Sequence, residues 1–551
     1  MDNVTPMPRK PVSKGKSLLL RLLITLCAAA LYYYIKLPAL NFKSGDLYGM
    51  VIFLCIVYAL CTLIFSGGRL RQQPGEYAAF VKARCKIPLV IVALCILVGI
   101  VGWLSSAVIF RADSYASLLQ PHSSDFAADI DQISFDQIPM LDSASAARLG
   151  DRKLGELSDV VSQFEVSSAY AQINYLDRPV RVTYLEYADL FKWLGNRRAG
   201  LPAYICIDMV TQEANVVRLE EGMKYSPAEH FNRLLFRHLR LHYPTAIFDE
   251  CNFEIDEDGH PWWICSVLDR TIGLFGGDDV IGAMLVDAVT GECTYYDVAL
   301  IPTWVDRVYS ADLLLAQYNY HGMYQGGFWN SIFGQKNCTV TTEGYNYIAL
   351  EDDVWLYTGI TSVTSDASNI GFVLINQRTK EPRYYAVAGA TEYSARSSAE
   401  GVVQHLNYVS TFPLLLNISN EPTYFMALKD DASLVKMYAM VNVQQYQVVA
   451  TGASVAECER SYISLLRQNG IAAESTAPAE TEPVFGSITD LRSAVIDGTT
   501  WYYLAVNDTY YRVSAAVCEQ VVLCDVGDRV SLTVISENGD IPTATLNWCT
   551  R

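Results

Sequence analysis

The chain has 551 residues, 51% of them hydrophobic and 18% charged, with a positive mean hydropathy. That composition excludes the disordered and fibrous classes, and the length suffices for several compact units. Residues 1–110 carry 12 Lys and Arg against 3 Asp and Glu, a net of +9, and the other 441 carry 29 against 56, a net of −27. A basic, apolar head therefore precedes an acidic body, whose charge repels nucleic acid.

Three apolar stretches reach the roughly 20 residues that a bilayer requires. They run from Leu18 to Ile35, interrupted by Arg21, from Leu47 to Phe65, and from Ile87 to Phe110 with no charged residue. A cleaved signal peptide is the alternative for the first, but no small-residue cleavage site precedes the second. Arg21 is expected to snorkel to the interface, and Tyr32, Tyr33 and Tyr34 to mark the opposite aromatic belt. Arg9, Lys10, Lys14 and Lys16 precede the first span, and Arg69, Arg71, Lys82, Arg84 and Lys86 separate the second from the third. Between the first two lie only Lys43 and, directly at the end of the first span, Lys36. This asymmetry predicts a cytoplasmic N-terminus, and an odd number of spans then puts residues 111–551 outside the cytoplasm. No Asp or Glu interrupts an apolar core, and no Gly/Pro-broken helix pair faces a midplane site. Residues 1–110 thus read as a three-helix transmembrane anchor in a cell membrane rather than a conduit.

Residues 111–200 read as a juxtamembrane helical and α+β segment, with a helix at Lys153–Phe164, a strand at Arg178–Tyr184 and a helix at Leu185–Trp193. From Leu201 the pattern [IV]-[DN]-x-x-T-x-E recurs at Ile207–Glu213, Val286–Glu292 and Ile375–Glu381, with a degenerate fourth copy around Val441-Asn442. β-prone runs flank each copy. The reading is a hairpin whose Asp or Asn bonds its own turn. Calcium is the sharper alternative, but one acid at each end supplies too few oxygens. Helices are expected after each hairpin. The first opens on a capping box, Ser226-Pro227-Ala228-Glu229, and stops at Pro244. The others fall at Asp306–Tyr318, Ala395–Tyr408 and Val455–Gln468.

The order hairpin, helix, strand, hairpin makes 201–305 one α+β repeat and 369–469 a second, joined by a connecting segment at 306–368. Residues 470–483 read as a linker. Residues 484–551 read as a small OB- or SH3-like β-barrel, with strands at 488–496, 500–506, 510–513, 517–523 and 529–535 and a turn at Asp497-Gly498. The fold class is a membrane-anchored α+β protein with repeated helix-plus-antiparallel-sheet modules and a C-terminal all-β barrel.

A helix followed by strands that close on Val286-Asp287-Ala288-Val289-Thr290-Gly291-Glu292 resembles the PepSY type of extracytoplasmic module. Three spans ahead of such a body resemble bacterial three-span membrane proteins with PepSY-like repeats. The resemblance implies a bacterial cell envelope, and modules that bind or restrain partners, peptidases among them, rather than catalyse.

The chemistry-bearing residues point the same way. His238 and His242 are four apart, as in a zinc pair, but Leu239 stands where H-E-x-x-H needs Glu. Glu254–Gly259 begins like an EF-hand loop, yet Cys265 takes the place of the bidentate Glu. Gly276–Asp279 reads as a loop. Ser433–Lys436 spells S-x-x-K without its partner motifs, and no G-x-S-x-G, P-loop or C-x-x-C occurs. No cofactor, catalytic residue or metal ligand is assigned. The body has nine cysteines. Cys251 with Cys265, or Cys518 with Cys524, can bridge strands, and buried thiols are the preferred reading.

Tyr318–Gln335 concentrates aromatics among glycines. Tyr324, Phe328 and Trp329 are the candidate ligand-binding residues, able to stack on a sugar, hold a peptide or dip into the membrane surface. The competing expectation is a plug buried between the two repeats. The functional reading is a non-enzymatic, membrane-anchored envelope protein whose outer domain is a scaffold, sensor or binding module for a protein or wall-associated ligand. The alternatives are an envelope hydrolase with an acidic pair, or an accessory subunit of a membrane complex.

Overall fold

The computed structural model describes residues 14–70, 74–130, 141–156, 161–364, 368–431, 434–471, 484–496, 499–507, 509–515, 518–536 and 541–550. Arg9, Lys10, Arg71, Ser433, the linker from 472 to 483 and the Asp497-Gly498 turn lie outside them. Two compact units result, Met1–Gln468 and Asn469–Arg551.

The first unit opens with three apolar helices, α1 (Lys14–Lys36), α2 (Gly45–Leu70) and α3 (Pro74–Ser106). Each contains a stretch long and apolar enough to cross a membrane: Leu18–Lys36, Gly45–Phe65 and Ala79–Ser106. The chain is a multi-pass membrane protein. Arg21 does not snorkel outward. It is buried among the helices, donating to Thr62 Oγ1 at 3.3 Å, with its guanidinium over the rings of Tyr58 and Phe80. A cation between packed spans needs such neighbours to replace its water, and Thr62 and the two rings are among those that hold it.

After α3 the chain breaks at Ala107 and restarts as α4 (Val108–Ala116), followed by β1 (His122–Ser124) and the short α5 (Phe126–Asp129). Then α6 (Ser143–Gly155), N-capped by Asp142, leads into β2 (Phe164–Val166), β3 (Ala171–Tyr175) and β4 (Arg178–Tyr187). The helix expected at Lys153–Phe164 thus lies earlier, and Phe164 begins a strand. Likewise the chain remains a strand through Tyr187. The next helix, α7 (Leu190–Asn196), starts only where Asp189 accepts from the N–H groups of Phe191 and Lys192. An N-cap, not the apolar run, sets its start. Strands β5 (Leu201–Asp208) and β6 (Ala214–Met223) complete the first sheet, in the order β2-β4-β5-β6 with β3 on β4.

No helix begins at Ser226. Ser226 bridges to Leu234, and α8 (Leu235–His242) starts after a 3-10 turn. The reason is Glu229. Its buried carboxylate accepts from Tyr187 Oη at 2.7 Å and Trp193 Nε1 at 2.8 Å, so it is unavailable to close a capping box. The second sheet follows as β7 (Ile247–Ile255), β8 (Pro261–Ile272), β9 (Gly276–Asp287) and β10 (Cys293–Asp297), a four-strand antiparallel meander. Cys251 and Cys265 stand directly opposite across β7 and β8 and are joined as a disulfide. The expectation of buried thiols fails at that pair and not at Cys518 or Cys524, which are thiols.

Helix α9 occupies Ala311–Tyr324 rather than Asp306–Tyr318. The stretch before it is tied to other parts of the fold, with Asp306 N and Arg307 N donating to Glu254 and Val308 N and Tyr309 N to Gln377 O, and the helix opens only after Ser310. Next come β11 (Thr339–Thr341), β12 (Asn346–Leu350), β13 (Asp353–Ser362), β14 (Ser368–Asn369), β15 (Gly371–Asn376), β16 (Pro382–Tyr385) and β17 (Gly389–Ala390). The third sheet runs β1-β16-β15-β13-β11, with β12 on β13. Helix α10 (Glu392–Val402) is N-capped by Thr391 and ends before Tyr408. The fourth sheet comprises β18 (Val409–Ser410), β19 (Leu414–Ile418), β20 (Glu421–Lys429), β21 (Val435–Asn442) and β22 (Val449–Gly452), and α11 (Val455–Gln468) falls where expected.

The sheets stack face to face. Along β8 and β9, Trp263, Cys265, Met284 and Val286 face the first sheet, while Ile264, Ala283 and Leu285 face the third. A strand apolar on both faces loses the polar alternation of a one-sided sheet. The third sheet repeats this. Leu356 and Val373 face the second sheet, and Phe372 on the other face meets Tyr424 of the fourth with ring centroids 5.9 Å apart.

The second unit is a closed barrel in the order β23-β24-β25-β27-β26, from β23 (Val484–Ile496), β24 (Thr499–Val506), β25 (Thr509–Ser514), β26 (Arg529–Ser536) and β27 (Thr543–Thr550). The strand expected at 517–523 is a 3-10 turn at Glu519–Leu523, and the fifth strand is β27.

Candidate functional site

The recurring motif is resolved atom by atom. Oδ1 of Asp208 accepts from the N–H groups of Val210 and Thr211, both at 2.8 Å. Asp287 does the same with Val289 and Thr290, at 2.8 and 3.0 Å, and Asn376 with Arg378 and Thr379, at 2.8 and 2.9 Å. Asn442 holds Gln444 and Gln445 likewise. The motif's Thr accepts from the N–H of its Glu in the first three turns. The residue between them has positive φ: Gln212, Gly291 and Lys380. Only at 291 is Gly also sterically required, because a Cβ there would meet the Tyr225 ring at 2.4 Å. The aspartates are turn-formers. Among the described residues no group of three His, Cys, Asp or Glu can hold a metal.

The three aromatic candidates lie together at the end of α9 and just beyond it. Tyr324 is the last residue of α9, and Phe328 and Trp329 lead into a turn of π-helix at Asn330–Gly334. The segment is ordered helix rather than a loop. Phe328 and Trp329 meet edge to face at 5.3 Å, and Trp329 stacks on Phe333 at 5.9 Å. Tyr318, at the start of the segment, is buried in the core between the second and third sheets, whereas Trp329 is 62% exposed and Phe333 79%, so these two are not part of a buried plug.

A second feature escaped the sequence. An open cleft of about 820 Å³ lies between the first two sheets. Val217 to Glu221 of β6 form one side, and Asp256, Asp258, His260, Trp262 and Thr290 the other. Asp256 fixes this wall: Oδ1 accepts from Asp258 N and His260 N, and Oδ2 from Trp262 Nε1 at 2.9 Å. His260 Nε2 lies 3.2 Å from Asp287 Oδ1. The EF-hand-like run is thus a turn that forms a wall. The two sides are distant in sequence and meet only because the sheets stack. The alternation along β6 was the one available signal.

His238, His242, the acids of the Gly276–Asp279 run and Lys436 have structural partners. His238 Nε2 bonds Gly291 O at 2.8 Å, and burial lowers its pKa. His242 Nδ1 bonds His238 O. Asp278 pairs with Arg270 and Asp279 with Lys380, and Lys436 of the S-x-x-K run pairs with Asp430. Glu254 and Asp306 form a buried acidic pair. Burial, and for Asp306 also the nearby Glu254 charge, pushes both carboxyls above their ordinary range. Glu254 accepts from Asp306 N and Arg307 N, both at 3.0 Å, and Asp306 from Asn174 N at 2.6 Å. Neither reaches solvent, being 0% and 1% exposed, so a substrate has no path to them.

The body is seated directly on the spans. Leu40 N donates to Pro244 O, Asn41 Nδ2 to Thr245 O and Arg240 Nε to Leu37 O, at 2.7 to 3.0 Å. Lys43 Nζ pairs with Asp269 at 2.7 Å, and Arg270 donates to Lys43 O. At the far edge, the tip between β8 and β9 meets the other two spans: Phe275 N donates to Ser106 Oγ at 2.9 Å, and its ring meets Tyr48. No protein-family model matches the chain, and no curated protein matches it.

Proposed function

We propose that this is a non-enzymatic, membrane-anchored protein of a bacterial envelope. Its N-terminus is cytoplasmic, and its outer body is a scaffold or binding module for another protein or a wall-associated ligand. The observation that carries this reading is the seat: polar contacts from α8 and the β8–β9 tip fix the body to the ends of all three spans. A body so held presents its surfaces at a constant height and angle, as a platform for a partner requires. The cationic segments flanking the spans and the Cys251–Cys265 bridge support an outer, oxidising location. Four sheets, each preceded by a helix and each containing an antiparallel hairpin with the same Asx turn, support copies of one PepSY-like unit.

The cleft walled by Trp262, His260 and the β6 carboxylates suits a partner with cationic and hydrogen-bonding groups. Photo-crosslinking residues at Val217 and Leu219 of the full chain, in intact cells, should yield adducts with one partner or with wall material. No adduct from either position would remove the cleft from this reading. Release of fragments from wall glycan by the purified full chain, abolished by Asp258→Asn, would replace the reading with a hydrolase.

A further inference from the structure

The exposed aromatic cap at the end of α9 has a definite height relative to the membrane. The β8–β9 tip touches α3 near its end: a Cβ on Gly102 would meet the Phe275 ring, and Phe275 N binds Ser106. The tip therefore marks the outer edge of the bilayer. Helix α9 descends toward it. Just before the helix, Val308 O accepts from Ser266, which pairs with Ala283 high on β9. Two turns into the helix, Gln317 Nε2 donates to Asp278 O at 2.8 Å, near the foot of β9. Seven more residues, about 10 Å of helix, bring Tyr324 level with the tip.

Independent contacts give the same height. Tyr115 of α4 donates to Ser106 O at 2.8 Å, and its ring meets Tyr320 at 4.8 Å. Tyr324 stacks on Tyr320 from one turn further down. Phe328, Trp329, Ile332 and Phe333 lie beyond Tyr324, at the level of the span ends or below it. Their turn is closed on itself: Asn330 bonds both backbone groups of Lys336, and Ser331 Oγ donates to Phe328 O. The polar groups point inward and the apolar side chains outward, with Trp329 62%, Ile332 49% and Phe333 79% exposed.

We propose that this cap inserts into the outer leaflet at the headgroup–acyl boundary, making the bilayer itself the ligand of Trp329 and Phe333. Aromatic side chains favour that zone. The proposal rests on the seated-platform reading above and gives the body a second, non-covalent hold on the membrane.

The test uses the full chain in phosphatidylcholine vesicles whose acyl chains are brominated either near the carbonyl or near the methyl end. Tryptophan emission of the wild type is compared with that of Trp329→Phe. Shallow bromine should remove from the wild type an additional share of about one tryptophan in nine, absent in the variant, and deep bromine a smaller one. Equal quenching of both proteins at both depths, or quenching of Trp329 by aqueous iodide, would overturn the proposal. Carbodiimide coupling of Lys43 to Asp269 in the same vesicles reports the seat separately. Coupling without the quenching difference sinks the cap alone, and absence of coupling sinks the platform beneath it.

Discussion

Asp287 holds its turn by accepting two backbone N–H groups, the service that Asn376 and Asn442 perform with an uncharged amide. Asp287→Ala should therefore cost about 0.5–2 kcal/mol, as loss of a local cap does, whereas Asp287→Asn should retain the turn. Burial opposes ionisation of Asp287, but the N–H groups of Thr290 and Val289, with Thr290 and His260 side chains, hold its pKa below the ordinary value. A depressed carboxyl stabilises the fold above its unfolded pKa, and that contribution is lost as the pH falls through the folded value. Unfolding followed in acid should show Asp287→Asn losing less stability than wild type. Glu254 and Asp306 have the opposite sign. Their raised values favour the fold at low pH, and that contribution is lost as the pH rises through them. Glu254→Gln should flatten the decline in stability between acid and neutral pH, and an unchanged slope would show that the pair does not titrate there. The Asx turns were legible in the sequence because each is local. The Glu254–Asp306 pair was not, since its members are 52 positions apart and meet only through packing.

At the scale of elements, the sequence located α11, where an N-terminal Ser and an apolar stripe agree. It misplaced helices where a distant side chain claims a local group. Glu229 turns to Tyr187 and Trp193, and Glu254 takes the amides of 306 and 307, and in both cases the helix starts later than propensity predicts. The central strands were recognisable as apolar runs, but their two-sided burial could not be read, because alternation vanishes when both faces are covered. The seat is likewise an element-level contact. Arg240 donates to Leu37 O and Ala246 O and lies over the Phe248 ring. Arg240→Ala should cost about 1–3 kcal/mol for each carbonyl left without a donor, and limited proteolysis should then cut within residues 37–44. Replacing Cys251 and Cys265 together by Ala releases a loop of 14 residues and should cost about 3 kcal/mol on the chain-entropy account. A thermal midpoint unchanged by a reducing agent would argue against that bridge.

At the largest scale, the stacked sheets and the spans belong to one compact unit, Met1–Gln468, joined where the β8–β9 tip and α4 meet the end of α3. Its placement across a membrane is a matter of charge. The loop between the first two spans holds Lys43, neutralised by Asp269, while the segments on the other side carry the cationic clusters at Lys14–Lys16 and Arg69–Lys86. Cations resist translocation, so the clustered side is expected in the cytoplasm and the acidic body outside. Protease added to intact cells stripped of their wall should digest the body and spare Arg69–Lys86. A membrane-impermeant amine reagent should label body lysines such as Lys153 and Lys436 and react slowly with Lys43, held in its ion pair beneath the body. Asp269→Asn should release Lys43 for labelling without changing which side is accessible. Survival of the body, with labelling only after permeabilisation, would invert the topology and with it the outer location proposed for the body.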